Sequence, residues 1–447
     1  MLFNGQLKNN ITSIIELICG MGNYSFLDKI SIPYLDLNRE NHSNFRVYEI
    51  SKDNATIDEK FSLESIKEKS GLFSYHKLIK NGIDTPQALS RICHNFQIPN
   101  DWIGYAGLKD AQAITSQLIS IWTPNGQPYP SFNDNSLALS EGVIRRYELN
   151  YGDLIGNYFE ITLDYTSFSN DGELFSTLID ILKKINKFGF PNYYGTQRFG
   201  SIRPISHLVG KAILQKDWKS ACIAYLGSFS NFEPEDVRNT RKEFSESLEI
   251  RGFLKKIPGN YFYERKIAKK LLHSNNYQRA IFSLSEQILT IFISSYQSFI
   301  YNWLLSCSLE RSNQEDTFLQ VLPIIGYDSD INKYPKWVKD ELMYLLEQDN
   351  LSINSFNQKE TWVRRKGSER DSFCLPNISF TNKQKQNFQL NFSLPKGSYA
   401  TSLLREILQF ESSNVNSSIF IANYKDYFKY LSNFVHVPNE CSKLLPN

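Results

Sequence analysis

A chain of 447 residues, 41% apolar and 14% aromatic, has room for two or three domains and enough apolar side chains for a sizeable core. Its 49 basic and 47 acidic residues leave a net charge of +2, so bulk charge neither selects nor excludes nucleic acid; phosphate contacts would need a local patch. The six cysteines (Cys19, Cys93, Cys222, Cys307, Cys374, Cys441) are scattered with no Cys-x-x-Cys, which argues against a zinc site or a disulfide framework and fits a reducing cytoplasm.

The first ten residues lack the basic-then-apolar pattern of a signal peptide, and Glu16 interrupts the next apolar stretch. Residues 44–50 read as a short strand, and 71–79 alternate weakly as another. Asp84, Thr85 and Pro86 mark a helix start running to about Phe96, with Ala88, Leu89, Ile92, Cys93 and Phe96 inward. Residues 98–105 lead into a turn at Asp110, and 114–122 read as a strand. Two further strands are expected over 143–149 and 158–163; in the second, Phe159, Ile161 and Leu163 share one face. Residues 173–188 form an amphipathic helix striped by Leu174, Phe175, Leu178, Ile181, Leu182 and Ile185, and closed by Gly189.

From Ile205 the pattern turns helical: 206–225, 235–253, 276–306 and 337–348. Residues 288–305 come nearest to a membrane span, but Gln297, Asn302 and several serines interrupt it, so a buried helix is expected. A strand over 388–394 and a helix from 401 to 410 close the pattern. Strands and helices mix without a strict βαβ rhythm. The expected fold is therefore α+β, a mixed and largely antiparallel sheet flanked by helices and interrupted by a mostly helical insertion.

Gly104-Tyr105-Ala106-Gly107-Leu108-Lys109-Asp110 places one carboxylate beside a lysine, in a glycine-bounded turn between apolar segments. Such a turn suits presentation of a single acid to a ligand, although a Lys-Asp pair alone is ordinarily a solvated surface feature. The second motif runs Pro191-Asn192-Tyr193-Tyr194-Gly195-Thr196-Gln197-Arg198-Phe199-Gly200. Its rings can stack on an unpaired base, its amides can read a base edge, and Arg198 can hold a phosphate; a rigid aromatic turn packed on the core is the equal alternative. Phe45 on its strand reads as core. Arg405 lies in a capped amphipathic helix. Arg364, Arg365, Lys366 and Arg370 cluster, as do Lys183, Lys184 and Lys187, in the manner of solvated faces that could also meet a phosphate backbone.

The sequence carries no P-loop, no Gly-x-Gly-x-x-Gly, no Gly-x-Ser-x-Gly and no metal-ligand spacing among its six histidines. No metal and no cofactor are expected.

Several of these segments, in order, resemble the TruD family of RNA pseudouridine synthases. Residues 44–50 resemble its Phe-x-Val-x-Glu-Ile strand, and 103–117 its catalytic segment. Residues 151–163 are similar to its Leu-x-Gly-Asn-x-Phe strand, and 192–200 to its Asn-Tyr-Phe-Gly-x-Gln-Arg-Phe-Gly motif. Residues 203–213, 280–302 and 322–328 resemble the archaeal and eukaryotic branch, and 394–407 the closing motif. The resemblance implies a catalytic domain of 1–203 plus 366–447, with a TRUD insertion domain over 204–365. It implies Asp110 as the catalytic aspartate, and Phe45, Asn192 and Tyr194 at the active site. Lys109, Gln197, Arg198 and Arg405 follow as substrate-binding candidates. Tyr194 stands where the family has Phe, and Arg39 where it has lysine, keeping charge but not point-charge geometry.

The implied reaction is isomerisation of uridine to pseudouridine in tRNA, with position 13 the expected site and a flipped-out base as substrate. Transfer RNA is the expected partner, without a membrane or small-molecule cofactor, and a monomer is expected. A non-catalytic RNA-binding or tRNA-folding protein on the same fold is the main alternative. A nucleoside hydrolase and a helical scaffold that binds protein partners are the others.

Overall fold

The computed structural model describes residues 16, 18–22, 35–36, 41–165, 171–200, 203–231, 233–315, 319–358, 363–384, 387–408, 435–436, 438 and 441. Arg39 lies outside them, as does the end of the helix expected to reach residue 410. The chain divides into two compact units: a sheet unit of Ile32–Phe190 with Cys374–Ala400, and a helical unit of Met1–Ser31, Pro191–Phe373 and Thr401–Asn447. Described residues 16, 18–22, 191–200, 203, 366–373 and 401–408, which the sequence groups with the catalytic domain, thus belong to the helical unit.

The principal strands of the sheet unit are β1 (Phe45–Ser51), β2 (Phe73–Asn81), β3 (Ile114–Trp122), β4 (Leu154–Tyr165), β5 (Asn377–Gln384) and β6 (Asn387–Pro395). They lie in the order β5-β6-β4-β1-β3-β2 within an eleven-stranded sheet that Leu137–Leu139 and Phe132–Asn133 extend. Within this sheet β1 and β3 run parallel, and its other pairings are antiparallel. The mixed, largely antiparallel sheet expected from the sequence is therefore present. The parallel pair requires a crossover, and β2 with helix α1 (Thr85–Phe96) supplies it.

Local sequence accounts for these elements. The Asp84 side chain accepts from the Gln87 amide at 2.8 Å and starts α1. The inner face of α1, with Ala88, Leu89, Ile92 and Cys93, packs on Leu78, Ile119, Ile121, Leu137 and Leu139 of the sheet. On β4 the alternation holds: Phe159, Ile161 and Leu163 are buried. They stand opposite Phe392, Leu390 and Phe388 of β6, and Phe45 and Val47 of β1 face the same row. Such cross-strand pairs are the unit of sheet stabilisation. Helix α2 (Asp171–Phe188) buries Leu178, Ile181, Leu182 and Ile185. Its Asn186 amide exchanges two hydrogen bonds with the Ile378 main chain of β5, at 2.8 and 3.0 Å.

The helical unit holds α3 (Ser206–Leu214), α4 (Trp218–Gly227), α5 (Glu235–Ser247), α6 (Ile250–Lys256), α7 (Phe262–Ser274), α8 (Tyr277–Ile281), α9 (Glu286–Glu315), α10 (Lys336–Gln348) and α11 (Ala400–Leu408). Three stretches that read as single helices are each two. Lys216 and Leu248 adopt left-handed backbone, with φ of 60° and 54°, and break the first two; Phe282 to Ser285 separate α8 from α9. Helix α9 is buried at the centre of the core, as its composition predicts. Gly210 of α3 is required there, because a Cβ would lie 2.1 Å from the Phe292 carbonyl of α9.

Candidate active site

Asp110 lies between the strand Ile103–Tyr105 and β3, at the end of a segment held from both sides. Gly104 is sterically necessary: a Cβ would come 2.3 Å from the Leu149 carbonyl and 2.6 Å from Ser120 Oγ. Gly107 is not, since a Cβ would meet only ordinary contacts at 3.6 Å and beyond. One glycine therefore permits close packing, while side-chain contacts hold the rest of the turn.

Those contacts come from buried polar groups. Lys80, fully buried at the end of β2, donates to the carbonyls of Ile83 (2.8 Å), Lys109 (3.1 Å) and Asp110. The Lys109 amide donates to Thr85 Oγ1 at 3.0 Å, and that hydroxyl donates to Gln117 Oε1 at 3.1 Å. Gln117 Nε2 returns to the Gly107 carbonyl at 3.1 Å. The Lys109 ammonium pairs with Glu49 at 2.7 Å, both side chains buried, and the other Glu49 oxygen accepts from the Leu118 amide at 3.2 Å. The main chain of 107–110 is thus tied to β2, α1 and β3, and the Lys109 side chain to β1, while the Asp110 and Leu108 side chains remain exposed. Burial lowers the Lys80 pKa to about 8; the Asp110 and Asp84 carboxylates oppose that shift and Lys109 adds to it.

The Pro191–Gly200 motif lies in the helical unit and wraps along one face of α9. Asn302 brackets Tyr194, accepting from its amide at 2.8 Å and donating to its carbonyl at 3.0 Å. Ser306 Oγ bonds Tyr193 Oη at 2.9 Å, Ser298 Oγ accepts from Arg198 Nε at 3.2 Å, and Ser295 Oγ donates to the Arg198 carbonyl at 2.8 Å. The polar residues that break the hydropathy of α9 are largely those that hold this motif.

Asn192 is buried and donates to the Asp371 carbonyl at 3.0 Å. Arg370 grips it in turn, Nη2 to Asn192 Oδ1 at 2.6 Å and Nε to its carbonyl at 3.0 Å. The same guanidinium lies 4.2 Å from the Tyr194 ring centre and 5.5 Å from that of Tyr301, whose ring meets Tyr194 edge-on at 5.5 Å. Arg370 is held in the antiparallel pair of Val321–Ile324 and Ser368–Asp371, opposite Leu322.

Two expected site residues, Lys109 and Arg405, have their charged groups in buried ion pairs. Lys109 was expected at the substrate, but its ammonium is buried in the ion pair with Glu49. Arg405 was likewise expected there; it is 1% exposed and bonded to Glu16 (2.9 Å), Glu406 (3.0 Å) and the Gly22 carbonyl. It has no free surface for a substrate and serves as a buried cross-link of the helical unit. Phe45 is 6% exposed and packs edge-on against Phe159 at 6.2 Å. Gln197 is exposed and Arg198 half-buried; Gln197 Oε1 accepts from Thr401 Oγ1 at 3.1 Å.

Lys80, Thr85, Gln117 and Glu49 were not singled out from the sequence, and Arg370 was seen only as part of a basic cluster. A signal for Lys80 existed. Ser74, His76, Leu78 and Lys80 occupy one buried face of β2, and a lysine at an inward strand position needs acceptors.

Comparison with known proteins adds to this geometry. A family model described as tRNA pseudouridine synthase D (TruD) matches residues 37–320 and 308–407. The probable tRNA pseudouridine synthase D of Archaeoglobus fulgidus is 30% identical over 399 residues, covering 79% of this chain and 94% of that protein. The probable tRNA pseudouridine synthase D 1 of Methanocaldococcus jannaschii is 27% identical over 384 residues, covering 82% and 93%. A crystal structure of the putative tRNA pseudouridine synthase D of Methanosarcina mazei matches with a TM-score of 0.67 at 25% identity, covering 90% of this chain and 99% of that one. No described helix is long and apolar enough to cross a membrane, and no described cluster of His, Cys, Asp or Glu could hold a metal ion.

Proposed function

The chain belongs to the TruD family of tRNA pseudouridine synthases, and from that premise we propose that it isomerises uridine in cytoplasmic tRNA through the Asp110 carboxylate, with position 13 as the site. One observation carries the assignment: the main chain around Asp110 is fixed by buried partners, while its carboxylate is left to solvent. A preorganised backbone presenting one uncommitted acid is the arrangement that oriented covalent or proton-transfer chemistry requires.

In this reading the bond from ribose C1′ to uracil N1 breaks and a bond from C1′ to C5 forms. The C5 proton passes to solvent and N1 takes up a proton in exchange, so atoms balance without an oxidant or an energy source. The target uridine leaves its stack to reach the acid. Asp110, as the carboxylate, either attacks the nucleoside or removes a sugar proton. Phe45 supports the base from within the sheet. Asn192 and Tyr194, with Gln197 and Arg198 beside them, are assigned to substrate binding from the family pattern. Residues 204–365 are the TRUD insertion within a catalytic domain of 1–203 plus 366–447.

The test is tritium release from C5-tritiated uridine in an unmodified tRNA transcript, by wild type and by Asp110→Asn. Release by wild type alone, without free uracil, supports the assignment. Substantial release by Asp110→Asn defeats it, and tight binding without release by wild type would favour a non-catalytic RNA-binding role.

A further inference from the structure

A second stretch of the sheet unit accompanies the segment that leads to Asp110. The Leu149 carbonyl lies against Gly104, and the Tyr151 ring meets the Tyr105 ring edge-on at 6.4 Å. The Gly152 amide donates to the Ala106 carbonyl at 2.7 Å, and the Leu154 side chain lies 3.8 Å from where a Gly107 Cβ would stand. These four contacts fix 149–154 alongside 104–107. Tyr151 nevertheless remains 75% exposed, as do Tyr147, two residues before Leu149, at 76% and Leu108, directly after Gly107, at 55%. Uncovered rings beside a polar turn indicate a binding surface rather than packing.

Charge on this surface is answered in part. Lys52 pairs with Asp153, while Arg145 and Arg146 share the single carboxylate of Glu68, which leaves one positive charge over. Ring faces, beside that one charge, are what the surface offers a partner. When a uridine is drawn out of its stack, its neighbours lose a stacking face, and an aromatic side chain can replace it whatever the base.

We propose that Tyr151 and Tyr147, together with Leu108, form a stacking surface for the unpaired nucleotides next to the uridine presented to Asp110. The proposal rests on the isomerase reading and adds the recognition of flanking bases. It makes Tyr151 and Tyr147 determinants of RNA binding, with no part in the bond changes.

The experiment uses full-length protein and an unmodified tRNA transcript carrying 2-aminopurine beside the target uridine. Fluorescence is titrated with wild type, Tyr151→Ala, Tyr147→Ala and Tyr151→Phe, and tritium release is measured on the unlabelled transcript. Stacking predicts quenching by wild type and by Tyr151→Phe, with loss of quenching in the alanine variants. It also predicts a KM raised roughly tenfold in each alanine variant, with kcat changed far less. Absence of quenching by wild type, unchanged KM in the alanine variants, or an equal loss in Tyr151→Phe overturns the proposal. An unchanged KM would leave the patch to a protein partner. Absence of tritium release by wild type defeats the isomerase reading instead, and the quenching titration still decides the stacking. Because these rings are largely exposed, the thermal midpoint should move little; Tyr151→Ala gives up the edge contact with Tyr105.

Discussion

The ammonium of Lys80 donates to the main-chain carbonyl of Asp110, thirty residues along the chain in the turn that precedes the neighbouring strand β3. A cation buried under a turn usually serves to neutralise a side chain. Here its hydrogen bonds go to three carbonyls, so it fixes the backbone and leaves the Asp110 carboxylate for another task.

That relationship has a signature in pH. Burial lowers the Lys80 pKa to about 8, below the ordinary 10.5. As pH rises through about 8, the folded protein loses this charge and a donor, so activity should fall with a midpoint near there. Stability should move the other way. Between about 8 and 10.5 the unfolded chain retains a proton that the folded chain has lost, so this group's contribution to stability rises with pH. Opposite slopes of tritium release and urea midpoint across this window are the expected result. Lys80→Met should lower kcat by about a hundredfold through misplacement of Asp110. Lys80→Arg, if it still folds, should remove the alkaline limb; a limb unchanged in that variant would show that another group causes it.

Glu49 and Lys109 form a buried pair in which either partner alone is a liability. Glu49→Gln leaves a buried ammonium without its counter-charge and should cost about 3–5 kcal/mol in urea unfolding. The double variant Glu49→Leu with Lys109→Met should recover much of that loss, since an apolar pair of similar volume removes both desolvation terms. If Lys109 touched substrate instead, Lys109→Met would raise KM while leaving the unfolding curve in place.

Arg370 holds Asn192 through two hydrogen bonds and lies over the Tyr194 ring. A lysine keeps the charge but cannot make the fork or stack its plane. Arg370→Lys should reduce kcat/KM by about tenfold or more, while Arg364→Lys, an exposed residue whose guanidinium lies 4.4 Å from the half-buried Tyr327 ring, should leave it nearly unchanged. Equal effects in the two variants would place Arg370 among the general phosphate contacts.

Arg405 bridges Glu16, Glu406 and the Gly22 carbonyl, and lies 5.3 Å from the Tyr193 ring centre. Arg405→Ala uncovers two buried carboxylates and should cost about 3–5 kcal/mol of stability. Residual folded protein should bind tRNA with wild-type affinity; a loss of binding without a loss of stability would return Arg405 to the substrate.

The sequence by itself determined the periodic elements and the family. Strand alternation on β4, the Asp84 cap with Pro86, the apolar face of α1 and the buried character of α9 are local patterns, and local pattern sets secondary structure and its inward face. Asp110 was legible because its turn and its neighbours are contiguous, and the collinear motifs carried the resemblance. Tertiary structure alone decided what each charged residue does. Lys109 and Arg405 have the look of ligand-binding cations, but each meets a carboxylate distant in sequence, and burial makes that pairing obligatory. Lys80 stands at an inward strand position, but its acceptors are main-chain carbonyls, which every residue has and no motif marks. The serines and Asn302 of α9 read as interruptions until the Pro191–Gly200 motif was seen to lie along them. A buried polar group must find its partner wherever the fold brings one, and that choice is made by packing across the chain rather than by order along it.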